Sequence, residues 1–189
     1  MPLTKIKSLG ITDGTIVNAD INASAAIDST KLSGVSAGKF ESALLHVRDE
    51  KSSGTAGGTY TEGSFLTRTL NTVMTNEISG ASLSSNQITL PSGTYFIYAR
   101  ASAFRVDRHK TKLRNVTDSS DTIIGSNAYT AEANVGNDSW IIGRFTIASS
   151  KAFEIQNRCQ STRSDDGYGV NAGYSVVEVY TDVQIWKVA

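Results

Sequence analysis

Reactive side chains are scarce in this chain. Cysteine occurs once, at Cys159, histidine twice, at His46 and His109, and proline only twice. A lone cysteine rules out an intrachain disulfide and says little about redox compartment. One cysteine and two histidines without ligand spacing make a poor zinc set. Two imidazoles also leave few ways to assemble a nucleophile, a base and an orienting carboxylate. His46 falls mid-strand and His109 in a basic hairpin, with no such pattern beside either. Paired carboxylates facing one groove, which glycan hydrolysis requires, are not legible. Catalysis is not expected.

An excess of one charge is missing too. The chain carries 18 basic against 18 acidic residues, so nothing draws it electrostatically to nucleic acid or to a membrane surface. No apolar run approaches the roughly 18 residues of a membrane span. The opening MPLTKIKSLG has basic residues with no apolar stretch behind them and does not read as a signal peptide. The expectation is a soluble chain assembled where it is made, with no cofactor, no nucleic-acid partner and no membrane partner. Helical periodicity is the last absence, since no segment shows the 3.6-residue apolar pattern of an amphipathic helix.

What is present points to strands. Sixteen glycines, with plentiful serine, threonine and asparagine, suit many short strands joined by turns. Leu44–Arg48 is a candidate first strand, followed by a glycine-rich loop and a strand-like run over 60–71. Ile88-Thr89-Leu90, Pro91-Ser92-Gly93 and the alternating run 94–106 read as strand, tight turn, strand. Pro91 presets φ at the first central turn position and Gly93 tolerates a positive φ. A polar break at 107–109 precedes the return run 110–117, which predicts an antiparallel meander. Alternation continues through 121–130, 139–148, 152–161 and 175–188. About eight strands in some 150 residues define an all-β fold, a two-sheet antiparallel sandwich of the jelly-roll kind.

The first 40 residues read differently, as an anchor or stalk arm ahead of a domain over 41–189. Ile11, Ile16, Ile21 and Ile27, closed by Leu32, recur at spacings of five and six that match neither helix nor strand. One isoleucine per five residues buries too little to offset the ordering entropy of the segment, so it must dock on another surface or wind with copies of itself. Ser33–Gly38, the run SGVSAG, reads as a hinge. Its resemblance to a phosphate loop fails because Phe40 stands where a magnesium-binding hydroxyl is needed.

Four further features bear on function. In the last strand, Val177, Val179, Val183 and Ile185 share one face, while Glu178, Tyr180, Gln184 and Trp186 share the other. The second face is too aromatic for solvent and too polar for a core. It suits a subunit interface, with Trp186 capping the end of the sandwich as the alternative. Lys110, Lys112 and Arg114 alternate and so point to one strand face, either a strip for an anionic glycan or the solvated lysines of an exposed edge. Aromatics do not interleave with them, which weakens a nucleic-acid reading. Asp165-Asp166-Gly167 has two carboxylates, too few for calcium, and reads as a turn. Cys159 alternates with Phe153, Ile155 and Asn157 and is expected to be a buried, inert thiol.

Several runs carry a family resemblance: HVRDEKSSGTAGGTYT at 46–61, FLTRTLNTV at 65–73, NQITLPSGTYFIYARASAF at 86–104 and HKTKLRNVTD at 109–118. GRFTI at 143–147, FEIQNRC at 153–159 and VEVYTDVQIWK at 177–187 complete it in chain order. Together they resemble a branch of the complement-globular-head and tumour-necrosis-factor-like jelly rolls found in tailed bacteriophages, those of cyanobacteria included. That resemblance implies a ten-stranded, two-sheet jelly roll forming a tight trimer around an aromatic-lined axis, with Tyr180 and Trp186 on or near it. The segment 10–34 resembles the GTI-xNADI-xxSAAI-xxxKL pattern that precedes knob domains in phage fibre proteins.

The resulting expectation is a homotrimeric virion protein held to other virion proteins through residues 1–40. About 35 residues reach only about 120 Å fully extended, too short for a long tail fibre. Two positions remain open. The head is a fibre or spike knob that recognises a host surface glycan, or it is a capsid decoration protein that cements the shell as trimers.

Overall fold

The computed structural model describes residues 43–130 and 134–188. The arm over 1–40, with Ile11, Ile16, Ile21, Ile27 and Leu32, lies outside the described residues. Eleven strands form among the described residues: β1 Leu44–Lys51, β2 Leu66–Thr67, β3 Thr72–Asn76, β4 Ser82–Ser84, β5 Gln87–Leu90, β6 Gly93–Phe104, β7 Asp107–Asn115, β8 Ser120–Thr130, β9 Gly136–Ile147, β10 Lys151–Cys159 and β11 Glu178–Lys187. They make two antiparallel sheets. One has the order β3-β1-β11-β6-β9, and the other has β4-β5-β10-β7-β8 with β2 paired to β10. The all-β jelly-roll sandwich expected from alternation is the fold observed.

Its connections are not a meander. β5 belongs to the six-stranded sheet, β6 to the five-stranded sheet and β7 to the six-stranded sheet again. The Pro91-Ser92-Gly93 link is therefore a corner that carries the chain from one sheet to the other. The break after β6 falls at Arg105 and Val106, earlier than expected, with Arg105 and Asp107 both at positive φ (54° and 58°). Local hairpins form at β4–β5 and β7–β8. The first turns on Ser85 and Asn86, both at positive φ, as the common two-residue hairpin turn requires. The run 60–71, expected as a strand, contributes only the two residues of β2. Tyr60 adds an isolated bridge to Arg163, Arg68 N–H bonds the Ile155 carbonyl on β10, and by Asn71 the run crosses to bond the Arg48 carbonyl on β1 of the other sheet.

The core lies between the sheets. Leu45, Val47, Ile97, Val183 and Ile185 from one side meet Ile88, Leu113, Phe153 and Ile155 from the other, all with no exposed surface. Each such burial stabilises the fold by about 1.5–3 kcal/mol. Phe145 stacks on Tyr95 with centroids 5.6 Å apart and meets the edge of Phe153 at 5.3 Å, so aromatic contacts span both layers. Asn157 and Cys159 follow Phe153 and Ile155 on the buried face of β10, as alternation requires.

One side of the sandwich is sewn shut by hydroxyls. The register shift between Lys110 and Lys112 takes Thr111 out of the β7–β8 pairing, and its N–H donates to Ser139 Oγ on β9 at 2.9 Å. Ser139 Oγ in turn donates to the Ser126 carbonyl on β8 at 2.6 Å, and Ser126 Oγ accepts from Trp140 N–H at 2.9 Å. Gly125 permits this approach, because a Cβ there would sit 2.6 Å from the Trp140 carbonyl oxygen.

Candidate functional site

The outer face of the five-stranded sheet follows from strand register. Leu44, Trp186, Phe96 and Arg144 form one row across β1, β11, β6 and β9. His46, Gln184, Tyr98 and Ile142 form the next, and Arg48, Asp182, Arg100 and Trp140 the third. Phe96 and Trp186 lie with centroids 6.2 Å apart, Tyr98 and Trp140 at 5.3 Å. In a single chain Tyr98 is 41% and Ile142 53% exposed.

Polar groups on this face are largely neutralised among themselves. Asp182 accepts from Arg48 Nε at 2.8 Å and from His46 Nε2 at 3.0 Å. Arg48 also approaches Glu50 at 3.4 Å, and Arg100 approaches Asp138 at 3.5 Å. The result is a contiguous aromatic and aliphatic surface beside a largely ion-paired one.

Of the residues singled out in the last strand, Trp186 and Gln184 occupy this face. Tyr180 and Glu178 do not share it as open groups. Opposite Tyr180 the register of β1 against β11 shifts, with Asp49 facing Thr181 and Glu50 facing Val179. This bulge changes the alternation, so Thr181, Val183 and Ile185 point to the core while Asp182, Gln184 and Trp186 point out. Val177 is consequently 55% exposed rather than part of a core face. Tyr180 is 3% exposed, donates its hydroxyl to the Thr55 carbonyl at 2.7 Å, and is pushed up to about 12 chiefly by burial. Glu178 accepts from the backbone N–H groups of Ala172, Gly54 and Gly173 at 2.8–3.0 Å, which lowers its carboxyl. Both hold their own chain's loops. Phe96, Tyr98, Trp140 and Ile142 were not singled out in the sequence. The alternation of Phe96 and Tyr98 against the small Ala99, Ala101 and Ala103 was the available signal.

On the other sheet, Lys110, Lys112 and Arg114 do share the outer face of β7. Asp121 neutralises two of them, lying 2.9 Å from both Lys112 Nζ and Arg114 Nη1. Lys112 also sits 4.1 Å from the Phe65 ring centroid. Lys110 instead lines an open pocket of about 1170 Å³ with Arg108, Arg158, Asn127, Tyr129 and Phe65.

The reactive groups are committed elsewhere. Among the described residues neither imidazole bonds a hydroxyl or thiol, since His46 meets Asp182 and Arg48 while His109 meets Asn137. Burial pushes the Cys159 thiol up to about 11. Asp166 is held by Arg163 at 2.6 Å, so the Asp165–Gly167 segment is an ion-paired turn. No group of three or more metal-ligating side chains occurs among the described residues.

No protein-family model matches the chain, and no curated protein does. Solved structures do. The tumour-necrosis-factor protein Eiger from S. frugiperda matches at 10% identity over 78% of this chain and 92% of that one, with a TM-score of 0.51. The globular domain of zebrafish complement 1qA matches at 13% identity, covering 78% and 97%, with a TM-score of 0.47. Murine APRIL at pH 8.5 matches at 10% identity, covering 77% and 98%, with a TM-score of 0.48. The Eiger likeness bears on the fold alone, a two-sheet antiparallel jelly roll.

Proposed function

We propose that this chain is a non-enzymatic structural protein of a tailed phage particle. It assembles as a homotrimer through the outer face of the five-stranded sheet. Residues 1–40 fix it to the virion, and the jelly-roll head projects as a fibre or spike knob toward a host surface receptor. The observation that carries the reading is the patch of Trp186, Phe96, Tyr98, Trp140 and Ile142 beside a largely ion-paired cluster. Three copies meeting on that face desolvate the aromatics beside charges that are already paired, Arg144 excepted. The arm supplies attachment, because trimerisation presents three weak isoleucine contacts together and makes them avid. The commitment of both imidazoles, the thiol and Asp166 to internal partners supports a role without catalysis.

A capsid decoration role is the second reading, favoured by the isoleucine and alanine content of 11–32, which suits lying along a shell. Sedimentation velocity on the purified chain is the first test, with a species at three times the 20.2 kDa chain mass as the expected outcome. A monomer at micromolar concentration overturns the assembly. Immuno-electron microscopy of intact particles then separates the positions. Label at the tail supports the knob, label over the head supports decoration, and absence from particles overturns both.

A further inference from the structure

The pocket at the outer face of β7, β8 and β10 holds an arrangement that the fold itself does not explain. Strand register sets Lys110 directly opposite Arg158, with Arg108 two residues along the same strand. Like charges directly opposite across an antiparallel pair repel at a Cβ separation of about 5 Å. The two neighbouring rows are balanced: Lys112 and Arg114 have Asp121, and Arg114 faces Glu154. In the pocket the cations outnumber the acids. Arg108, Lys110 and Arg158 make no ion pair among the described residues. A single carboxylate, that of Glu62, lines the pocket there, against three cations.

The remaining lining is suited to hydroxyls and ring faces. Asn127 and Gln160 make no side-chain hydrogen bond within the described residues, so both amides are available as donors and acceptors. Tyr129, opposite Arg108, is 58% exposed and offers an aromatic face at the rim. A volume of about 1170 Å³ exceeds what one inorganic anion fills and is of the size that holds a multi-ring ligand.

We infer that this pocket binds an acidic saccharide, one bearing carboxylates or sulfates. Arg108, Lys110 and Arg158 pair with its anionic groups, Asn127 and Gln160 with its hydroxyls, and Tyr129 lies against a sugar ring. Nucleic acid fits less well. The uncompensated cations stop after three, and one exposed ring provides no ladder for successive bases. The site is built within one chain, so it goes beyond the trimer reading and does not depend on it.

The test is titration calorimetry of the full chain with a sulfated heparin hexasaccharide, a carboxylated oligoguluronate, neutral dextran and a 20-nucleotide single-stranded DNA. Binding of either charged saccharide, weakening with salt and absent for dextran, is the expected result. Arg158→Gln and Lys110→Gln should each weaken it about ten- to hundred-fold. Lys112→Gln should leave it within about twofold. Arg158→Gln should melt no lower than the parent chain, because it removes a repulsive pair, and Tyr129→Ala gives a second variant independent of charge. No charged-saccharide binding, binding indifferent to Arg158→Gln and Tyr129→Ala, or tighter binding of the DNA overturns the inference. Mass measured on the same samples keeps the two proposals apart: a monomer that binds saccharide overturns only the assembly, and a trimer that does not overturns only this site.

Discussion

The guanidinium carbon of Arg68 lies 4.1 Å from the ring centroid of Tyr168, with Arg68 only 1% exposed. Its Nε donates to Thr181 Oγ1 at 2.8 Å, and its Nη groups to the carbonyls of Tyr180 at 3.0 Å and Ser102 at 3.2 Å. One buried cation thus ties the 60–71 crossing, the β11 bulge and β6 into the second small core of Tyr60, Ala103, Val106 and Cys159. Asp49, 2% exposed and with one oxygen unbonded, depends on this charge: burial raises its carboxyl and Arg68 pulls it back.

Replacing Arg68 by alanine should therefore cost about 3–5 kcal/mol, the range for breaking a buried charge network. The loss comes from the stranded Asp49 and the carbonyls of Tyr180 and Ser102. Urea unfolding of the purified variant measures it, and a loss under about 1 kcal/mol would show that this end of the sandwich does not need the cation.

A second expectation concerns the outer face of the five-stranded sheet. Ile142 is 53% exposed in one chain, so Ile142→Asp should leave the isolated head folded. In a trimer the same change buries a carboxylate beside Tyr98, its cross-strand neighbour, at a cost of several kcal/mol per subunit. Sedimentation velocity should show the variant as a monomer with the far-ultraviolet spectrum of the parent chain. A variant that stays trimeric places the interface elsewhere.

How far this could be read ahead differs by feature. Alternation located the strands from 94 onward, because a half-buried strand writes its two faces into successive residues. Pairing was less accessible. Pro91-Ser92-Gly93 has the chemistry of a hairpin turn, yet the same chemistry serves a corner between sheets, and only the distant partners Ile147 and Lys187 of β6 decide between them. The face of β11 was misassigned in part because one extra residue, Tyr180, flips the parity on one side of it, and no glycine or proline marks the place. The basic pocket had the same difficulty. Lys110 was visible as part of a strip, but its like-charged neighbour Arg158 enters through a pairing between strands 48 residues apart in sequence.

The seam between β8 and β9 yields a steric prediction. A methyl group added at Gly125 would lie 2.5 Å from Thr111 Oγ1 and 2.6 Å from the Trp140 carbonyl oxygen, and the latter is backbone that cannot rotate away. Gly125→Ala should cost about 1–3 kcal/mol by overpacking. The hydroxyl bonds through Ser126 and Ser139 should loosen with it. Faster amide exchange at Thr111 and Trp140 in the variant, with the distal β1–β3 pair unchanged, is the expected signature. Equal stability would mean the two sheets can part here at little cost.

Acid stability should turn on His109. The residue is 4% exposed, and its Nε2 meets Asn137 Oδ1 at 2.6 Å while Asn137 Nδ2 donates to the Tyr129 carbonyl at 2.9 Å. Asn137 Oδ1 is thus the acceptor, Nε2 carries the proton, and Nδ1 is a buried acceptor with no partner. Burial lowers the imidazole below its ordinary 6.5, reinforced by the charge of Arg68 and opposed by the Asn137 bond and Asp138. The unfolded chain then binds a proton more readily than the folded one, so this group's stabilisation is complete above about pH 6.5 and falls as pH drops toward the folded value. Each unit of depression contributes about 1.4 kcal/mol to that loss. Glutamine at this position keeps a donor toward Asn137 but cannot take up the proton. His109→Gln should therefore flatten the decline in unfolding free energy between pH 7 and 5, leaving the steeper carboxylate-driven loss below pH 4 in place. An unchanged slope in that window would assign the acid sensitivity to another group.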